Sequence, residues 1–375
     1  MKNFNAGVYI SQGSYKSFQP TLLNRKWVID DMPVIALLSK ADRNLGRLDM
    51  YSEYVDIDLF IQMHIAKEAT QSSKIEGTQT NMEEAFLSKA DVKAEKRDDW
   101  VEVQNYISAI NETVNRLHAL PFSTRLIKMA HRILLRSVRG QHKQPGDFRK
   151  SQNWIGGASL SDAVFIPPVH TEIANLMSDI EYFANAQDDN IPDLIKIALI
   201  HYQFETIHPF SDGNGRTGRL LITLYLVYKG ILKRPILYLS DFFERHRMLY
   251  YDNLTRVRTH NDMVQWLKFF LTGIVETSQK GIETLDAIMQ LKNSLEKQID
   301  QMGKRSANAR ILTDYLYKKP VISATDAIRL INKTPQTAYN LIARLESEAI
   351  LKEVTGAQRN KIYSFIPYIK IFETL

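Results

Sequence analysis

The chain has 375 residues, room for two or three domains, and its 44% hydrophobic and 24% charged content is that of a globular protein. With no cysteine it has neither disulfides nor thiolate metal sites; its start, MKNFNAGVYISQGSYKSF, lacks a signal peptide's apolar stretch, and its longest apolar run, near Leu220 to Tyr228, is too short for a bilayer. A cytoplasmic protein without membrane contact is expected; residues 303–375 hold 12 Lys and Arg against 6 Asp and Glu, a surplus that equals the whole chain's net +6.

Residues 1–50 carry no chemical signal, and Trp27, Val28, Ile35 and Leu38 are expected to pack on the core. Leu59, Phe60, Met63, Ile65, Ala66 and Ala69 recur at helical spacing, which predicts a helix ended by Gly77. Ser72 and Glu76 stand four apart on it and so face one side. His118 and His131 lie on amphipathic helical stretches and read as surface or packing residues. Further on, Trp154-Ile155 and Ala163-Val164-Phe165-Ile166 flank Gly156-Gly157, which predicts two short strands around a turn, ended by Pro167-Pro168. The edge of such a hairpin either stabilises the fold or pairs with an extended segment of a target protein.

Ile195, Ala198, Leu199, Tyr202 and Ile207 predict a helix, and Leu220, Leu221, Leu224 and Val227 a second one beginning near Asn214. Between them lies a loop, His208 to Gly213, within the segment HPFSDGNGRTGR. Free backbone N–H groups at the helix start favour an anion. Gly213 and Gly215 let the backbone approach phosphate oxygens closely. Arg216 and Arg219, three apart, can grip two phosphates. Asp212 is a hard oxygen ligand suited to Mg²⁺, and His208 has the pKa range of a general base. Phe210 is expected to anchor the loop in the core. Together these residues point to nucleotide chemistry.

Downstream, Tyr250, Tyr251 and Asn253 cluster within Arg245 to Arg258. Residues 276–302 predict a connecting helix with Ile282, Leu285, Ile288, Met289 and Leu295 on one side. The tail reads as helices at 308–317, 323–330 and 334–348 followed by a hairpin at 351–365, with Ser323 and Thr334 as N-caps and Pro335 in a first turn. TPQTAYNLIARLESEAILKEV resembles the recognition helix and wing entry of winged helix-turn-helix domains. That likeness and the basic surplus make DNA a candidate partner through Thr337, Asn340, Arg344, Arg359 and Lys361. Such modules also serve in dimerisation or target binding.

HPFSDGNGRTGR matches in full the signature HxFx[DE]GNGRxxR, and the chain resembles the Fic family. ALIHYQFETI before the motif, QPGDFR at Gln144 to Arg149, NWIGG and FIPP extend the resemblance over about residues 50 to 275. It implies a mainly α fold: a Fic (Fido) helical core with a β-hairpin flap over the active site. It also implies transfer of AMP from ATP to a Ser, Thr or Tyr hydroxyl of a target protein, with release of pyrophosphate. His208 is then the catalytic base and Asp212 holds Mg²⁺. Asn214 and the Gly213–Gly215 backbone form an anion hole, Arg216 holds phosphates, Arg219 positions the γ-phosphate, and Tyr250 and Asn253 line the adenine pocket. Core packing is the other reading for the tyrosines.

Ser72-Ser73-Lys74-Ile75-Glu76-Gly77 fits the family's inhibitory pattern [ST]xxxE[GN]. The resemblance implies that Glu76 salt-bridges Arg219 and blocks the γ-phosphate. The expected domains are an N-terminal helical region at 1–110 with the inhibitory helix, a Fic catalytic core at 111–275, a connecting helix at 276–302 and a winged helix at 303–375. Expected partners are a protein with an acceptor hydroxyl, the chain itself by self-modification, a second copy in a homodimer, and DNA. The alternatives to an autoinhibited transferase are a DNA-binding regulator with a nucleotide-sensing Fic core, and an enzyme that removes AMP.

Overall fold

The computed structural model describes residues 4–136, 143–187, 190–356 and 360–374. Residues 1–50 hold more than packing residues: β1 (Gly7–Ser11) and β2 (Lys16–Pro20) form an antiparallel hairpin with Tyr9 opposite Phe18. α1 (Met32–Tyr54) starts where the Asp31 side chain accepts from the Val34 N–H, with proline in its first turn. It packs lengthwise on α10 (Met263–Asp300), the 38-residue spine of the molecule. The helix read at 276–302 is therefore not a separate element but the last two thirds of α10. Its buried residues run from Met263 to Ile299, so no local pattern divides a core part from a connecting part.

α2 (Ile57–Ile75) follows, and Gly77 beyond it takes φ +104°, a conformation that side chains other than glycine's rarely adopt. α3 (Arg97–Val114) and α4 (Thr124–Leu134) pack as a pair, α4 opening on the Ser123 cap. The predicted flap strands are not strands. A single antiparallel bridge joins Ile155 to Phe165, with Ile155 N–H bonded to Phe165 O at 2.8 Å. The glycines occupy the crowded turn: a side chain on Gly156 would meet Val164, and one on Gly157 would meet Asp162. β2 supports the flap from outside, through a Phe18 N–H to Ile166 O bond of 2.9 Å and Phe18 packed 5.8 Å from Phe165.

α5 (Ile173–Asn185) packs on α6 (Asp193–Ile207), which is buried on all sides, its polar Lys196, His201, Gln203 and Glu205 included. α7 (Asn214–Tyr228) returns beside α6, so the motif loop lies at one end of a central helical hairpin. α8 (Leu239–Arg245) and α9 (Arg247–His260) close the core before α10.

The tail forms α11 (Ser306–Lys318), β3 (Val321–Ser323), α12 (Ala324–Ile331), α13 (Pro335–Ser347), β4 (Lys352–Glu353), β5 (Ile362–Ser364) and α14 (Ile366–Thr374). The strands make an antiparallel sheet in the order β3-β5-β4, with Ile322 and Glu353 on either side of Tyr363. Ser323 and Thr334 cap α12 and α13 as expected. β3 and α14 are additions to the expected elements, and the hairpin strands are shorter than 351–365 suggested. Arg359, a candidate DNA contact at the tip, lies outside the described residues.

Candidate active site

α6 ends on His208, whose backbone is left-handed at φ 49° and ψ 59°, an uncommon state outside glycine. The surroundings over-determine it. The His208 carbonyl accepts from Arg149 Nε at 3.0 Å and Asn153 Nδ2 at 3.3 Å, and the Pro209 carbonyl accepts from the Arg149 N–H at 2.9 Å. Arg149 also donates to Pro168 O at 2.5 Å, so one guanidinium ties the loop to the base of the flap.

Phe210 is fully buried, as expected, and stacks on His131 with ring centroids 3.7 Å apart. The Gly146 N–H donates to His131 Nδ1 at 2.8 Å, so Nε2 carries the proton and donates to Asp212 O at 2.9 Å. The Asn214 carboxamide is spent on the loop itself, accepting from Phe210 N–H at 2.9 Å and donating to Phe210 O at 2.8 Å. Its backbone N–H, alongside those of α7's first turn, and the second hydrogen of its side-chain nitrogen are what it can offer an anion. The Asp212 side chain is about half exposed (46%), and its carboxylate accepts from Gly213 N–H at 2.6 Å.

The two arginines have different partners. Arg216 Nη1 is held at 2.8 Å by Glu102 of α3. Arg219 is buried and reaches α2, donating to Ser72 Oγ at 2.9 Å, Ser72 O at 2.8 Å and Glu76 Oε1 at 2.6 Å. Gly215 makes this approach possible, since a Cβ there would collide with the Glu76 carboxylate and crowd the Arg219 guanidinium. Glu76, Arg219, Gly215 and His208 share the wall of one cavity of about 470 Å³, closed on one side by Trp154, Ile155 and Phe165 of the flap.

Residues 35–115 match the Fic/DOC family N-terminal domain, and residues 121–226 match the Fic/DOC family domain. The chain belongs to the Fic/DOC family. Among curated proteins, a protein adenylyltransferase Fic of Culex quinquefasciatus is 35% identical over 125 residues, 33% of this chain and 22% of that protein. Its namesake in Drosophila mojavensis is 28% identical over 168 residues, 44% of this chain and 29% of that protein. The matched segments thus span less than a third of these relatives. A solved Fic family protein from Desulfovibrio desulfuricans shares the fold with a TM-score of 0.58 at 18% identity, covering 91% of this chain and 98% of that one. A Fic domain containing signaling protein from Bacteroides thetaiotaomicron overlays with a TM-score of 0.51 at 17% identity, covering 68% and 97%.

Within this Fic site, burial pushes the His208 imidazole down to about 4, with the charges of Arg149 and Arg258 acting the same way. It is neutral at neutral pH, the form a base requires. Burial pushes Glu76 up, but the charge and hydrogen bond of Arg219 prevail and hold its carboxyl below the usual range. Glu205, also on the cavity wall, is pushed up to about 7 by burial.

Tyr250 lines the cavity but is anchored as core: its hydroxyl donates to His201 Nε2 at 2.8 Å, because His201 Nδ1 is committed to Gly218 O. Asn253 is buried, donates to Leu249 O at 2.7 Å, and is not among the residues lining the cavity. Tyr251, Leu254 and Arg258 take that wall instead, Arg258 lying 3.9 Å above the Phe165 ring. One helical turn decides which members of the tyrosine cluster face the cavity, and sequence alone did not fix its phase. Glu102, Arg149 and Glu205 were not foreseen either. Arg149 lay inside the QPGDFR likeness, but its partners are carbonyls, which leave no mark on side-chain identity.

Proposed function

We propose that this chain is a protein adenylyltransferase whose resting state is held off by its own α2. The observation that carries the reading is that Arg219 is bound by Ser72 and Glu76 in the same cavity as a neutral His208. A guanidinium whose charge is already paired with a carboxylate, and which is bonded to Ser72 as well, is not available to the terminal phosphate of ATP. When Glu76 leaves, Arg219 takes that phosphate and the free N–H groups at the start of α7 take the inner ones. His208 removes the proton from the target's hydroxyl, whose oxygen bonds to the α-phosphorus as the bond to pyrophosphate breaks. Catalysis by this arrangement is positioning plus electrostatic stabilisation.

Asp212 would hold Mg²⁺. Among the described residues no cluster of three or more His, Cys, Asp or Glu side chains stands ready for a metal, and Asp212 is half exposed. That suits a cation held by one carboxylate and by substrate oxygens. Such an ion neutralises phosphate charge. The flap, with Trp154 and Val164 exposed, would receive an extended target segment beside His208.

The test uses ATP labelled on the α-phosphate with wild type, Glu76→Gly and Glu76→Gly/His208→Ala. Label on the first mutant that vanishes in the second is expected. Label from γ-labelled ATP instead would make the chemistry phosphotransfer. Release of AMP from a modified protein by wild type but not by Glu76→Gly would assign Glu76 to AMP removal.

A second reading concerns the tail. Its order, helix, strand, two helices and two strands, and the exposure of Thr337, Asn340, Arg344 and Lys361 support a winged helix that binds DNA. Duplex binding that weakens with salt and with Asn340→Ala/Arg344→Ala is expected. Binding indifferent to both would leave the tail a protein-contact module.

A further inference from the structure

α2 is gripped on two sides. Ser72 and Glu76 face Arg219. Phe60, His64 and Lys67, spaced four and three apart, form another stripe, and all three are buried. Nine residues are about two and a half helical turns, so Lys67 and Glu76 point to opposite sides.

The Lys67 stripe is covered by the C-terminal module. Phe60 meets Tyr317 of α11 edge-on at 5.3 Å, and His64 meets Phe372 of α14 edge-on at 5.1 Å. Lys67 Nζ donates to Phe372 O at 2.5 Å and lies 3.4 Å from Asp241 of α8. Phe372 O belongs to the last turn of α14, whose carbonyls have no partner within the helix. A buried ammonium from α2 therefore caps α14, and the fit is mutual: without α14, Lys67 loses a partner and Phe60 and His64 lose their apolar cover.

We propose that this seam is the second anchor of the inhibitory helix, with Lys67 and Phe372 as positioning residues that hold Glu76 on Arg219. It rests on the brake reading above. Packed helices move past one another by shear of about 1 Å, and a 2.6 Å contact stretched that far is no longer a hydrogen bond. A partner that draws α14 away from α2 thus frees Arg219 for ATP without touching the catalytic cavity. The module becomes the sensor and α2 the rod that carries its state to the site.

The experiment measures AMP incorporation from α-labelled ATP by the full-length protein carrying Phe372→Ala, Lys67→Met or Lys67→Arg, each with and without Glu76→Gly. Circular dichroism verifies folding, and hydrogen exchange follows residues 57–76. Phe372→Ala and Lys67→Met are expected to raise incorporation roughly fivefold or more, the lower end of couplings between sites, and to speed exchange in α2. Lys67→Arg is expected to stay braked. In the Glu76→Gly background none of the three should raise the rate further, because the brake is already gone. Damage to the fold would lower activity rather than raise it. Folded Phe372→Ala and Lys67→Met proteins without gain, beside an active Glu76→Gly, would overturn the seam. So would equal gains with and without Glu76. An inert Glu76→Gly would instead remove the brake, and this proposal with it.

Discussion

Arg219 is the residue on which the site turns. Its guanidinium is engaged by Ser72 and Glu76, while the imidazole on the same cavity wall is kept neutral by burial. In the Glu76→Gly background, His208→Ala should lower AMP transfer by roughly 10²- to 10⁴-fold, the usual worth of a general base; a smaller loss in initial rate would point to another group. Arg149 acts through geometry, since Nε and Nη2 reach carbonyls on either side of the cleft. A lysine carries its three donors on a single nitrogen and cannot reach both carbonyls as the fork does. Arg149→Lys in that background is therefore expected to cost up to about 10²-fold in kcat, with melting behaviour nearly preserved. Equal loss from kcat and from stability would demote Arg149 to a packing residue.

At the scale of elements, the flap is the weak part. One bridge joins its two sides, and a single backbone bond from β2 joins the Arg149 bond to Pro168 O in tying it to the body, with Phe18 filling the space behind Phe165. Phe18→Ala should destabilise the protein by about 3 kcal/mol in urea unfolding. It should also speed amide exchange at 155–166 ahead of α6 and α7. Unchanged exchange there would mean that the flap stands without β2. The helical elements were legible because their apolar residues repeat with the helical period. α7 begins at Asn214 as expected, and Ser323 and Thr334 cap where their chemistry said they should. The N-terminal hairpin was not legible. Its exposed outer strand, with Val8, Tyr9 and Ile10, lacks the alternation that marks a half-buried strand.

For the whole molecule, buried titratable groups set the response to acid. Burial pushes His64 and His201 down to about 3, and His131 and His208 down to about 4. Below pH 6.5 the unfolded chain takes up protons that these four refuse when folded, so stability falls as pH falls. Glu68 and Glu205, pushed up to about 7 by burial, work in the opposite sense between pH 7 and 4.5. Near pH 5.5 four imidazoles outweigh two carboxyls by roughly two protons, so the histidines win. The melting temperature should decline steadily from pH 6.5 to 4.5, and a flat profile would contradict the burial of these imidazoles.

What the sequence determined by itself is local. HPFSDGNGRTGR places an imidazole, a carboxylate and a helix start with two arginines within twelve residues, and four-residue spacing puts Ser72 and Glu76 on one face. Such features are set by backbone period and turn chemistry, which act between near neighbours. Tertiary structure decided the rest. It brought Glu76 to Arg219 across 143 positions, Glu102 to Arg216 across 114, and Lys67 to Phe372 across 305. Each is a contact between faces that helical period alone leaves interchangeable. Only the packing of the helices chooses which polar group meets which, because burying one without a partner costs more than its bond returns.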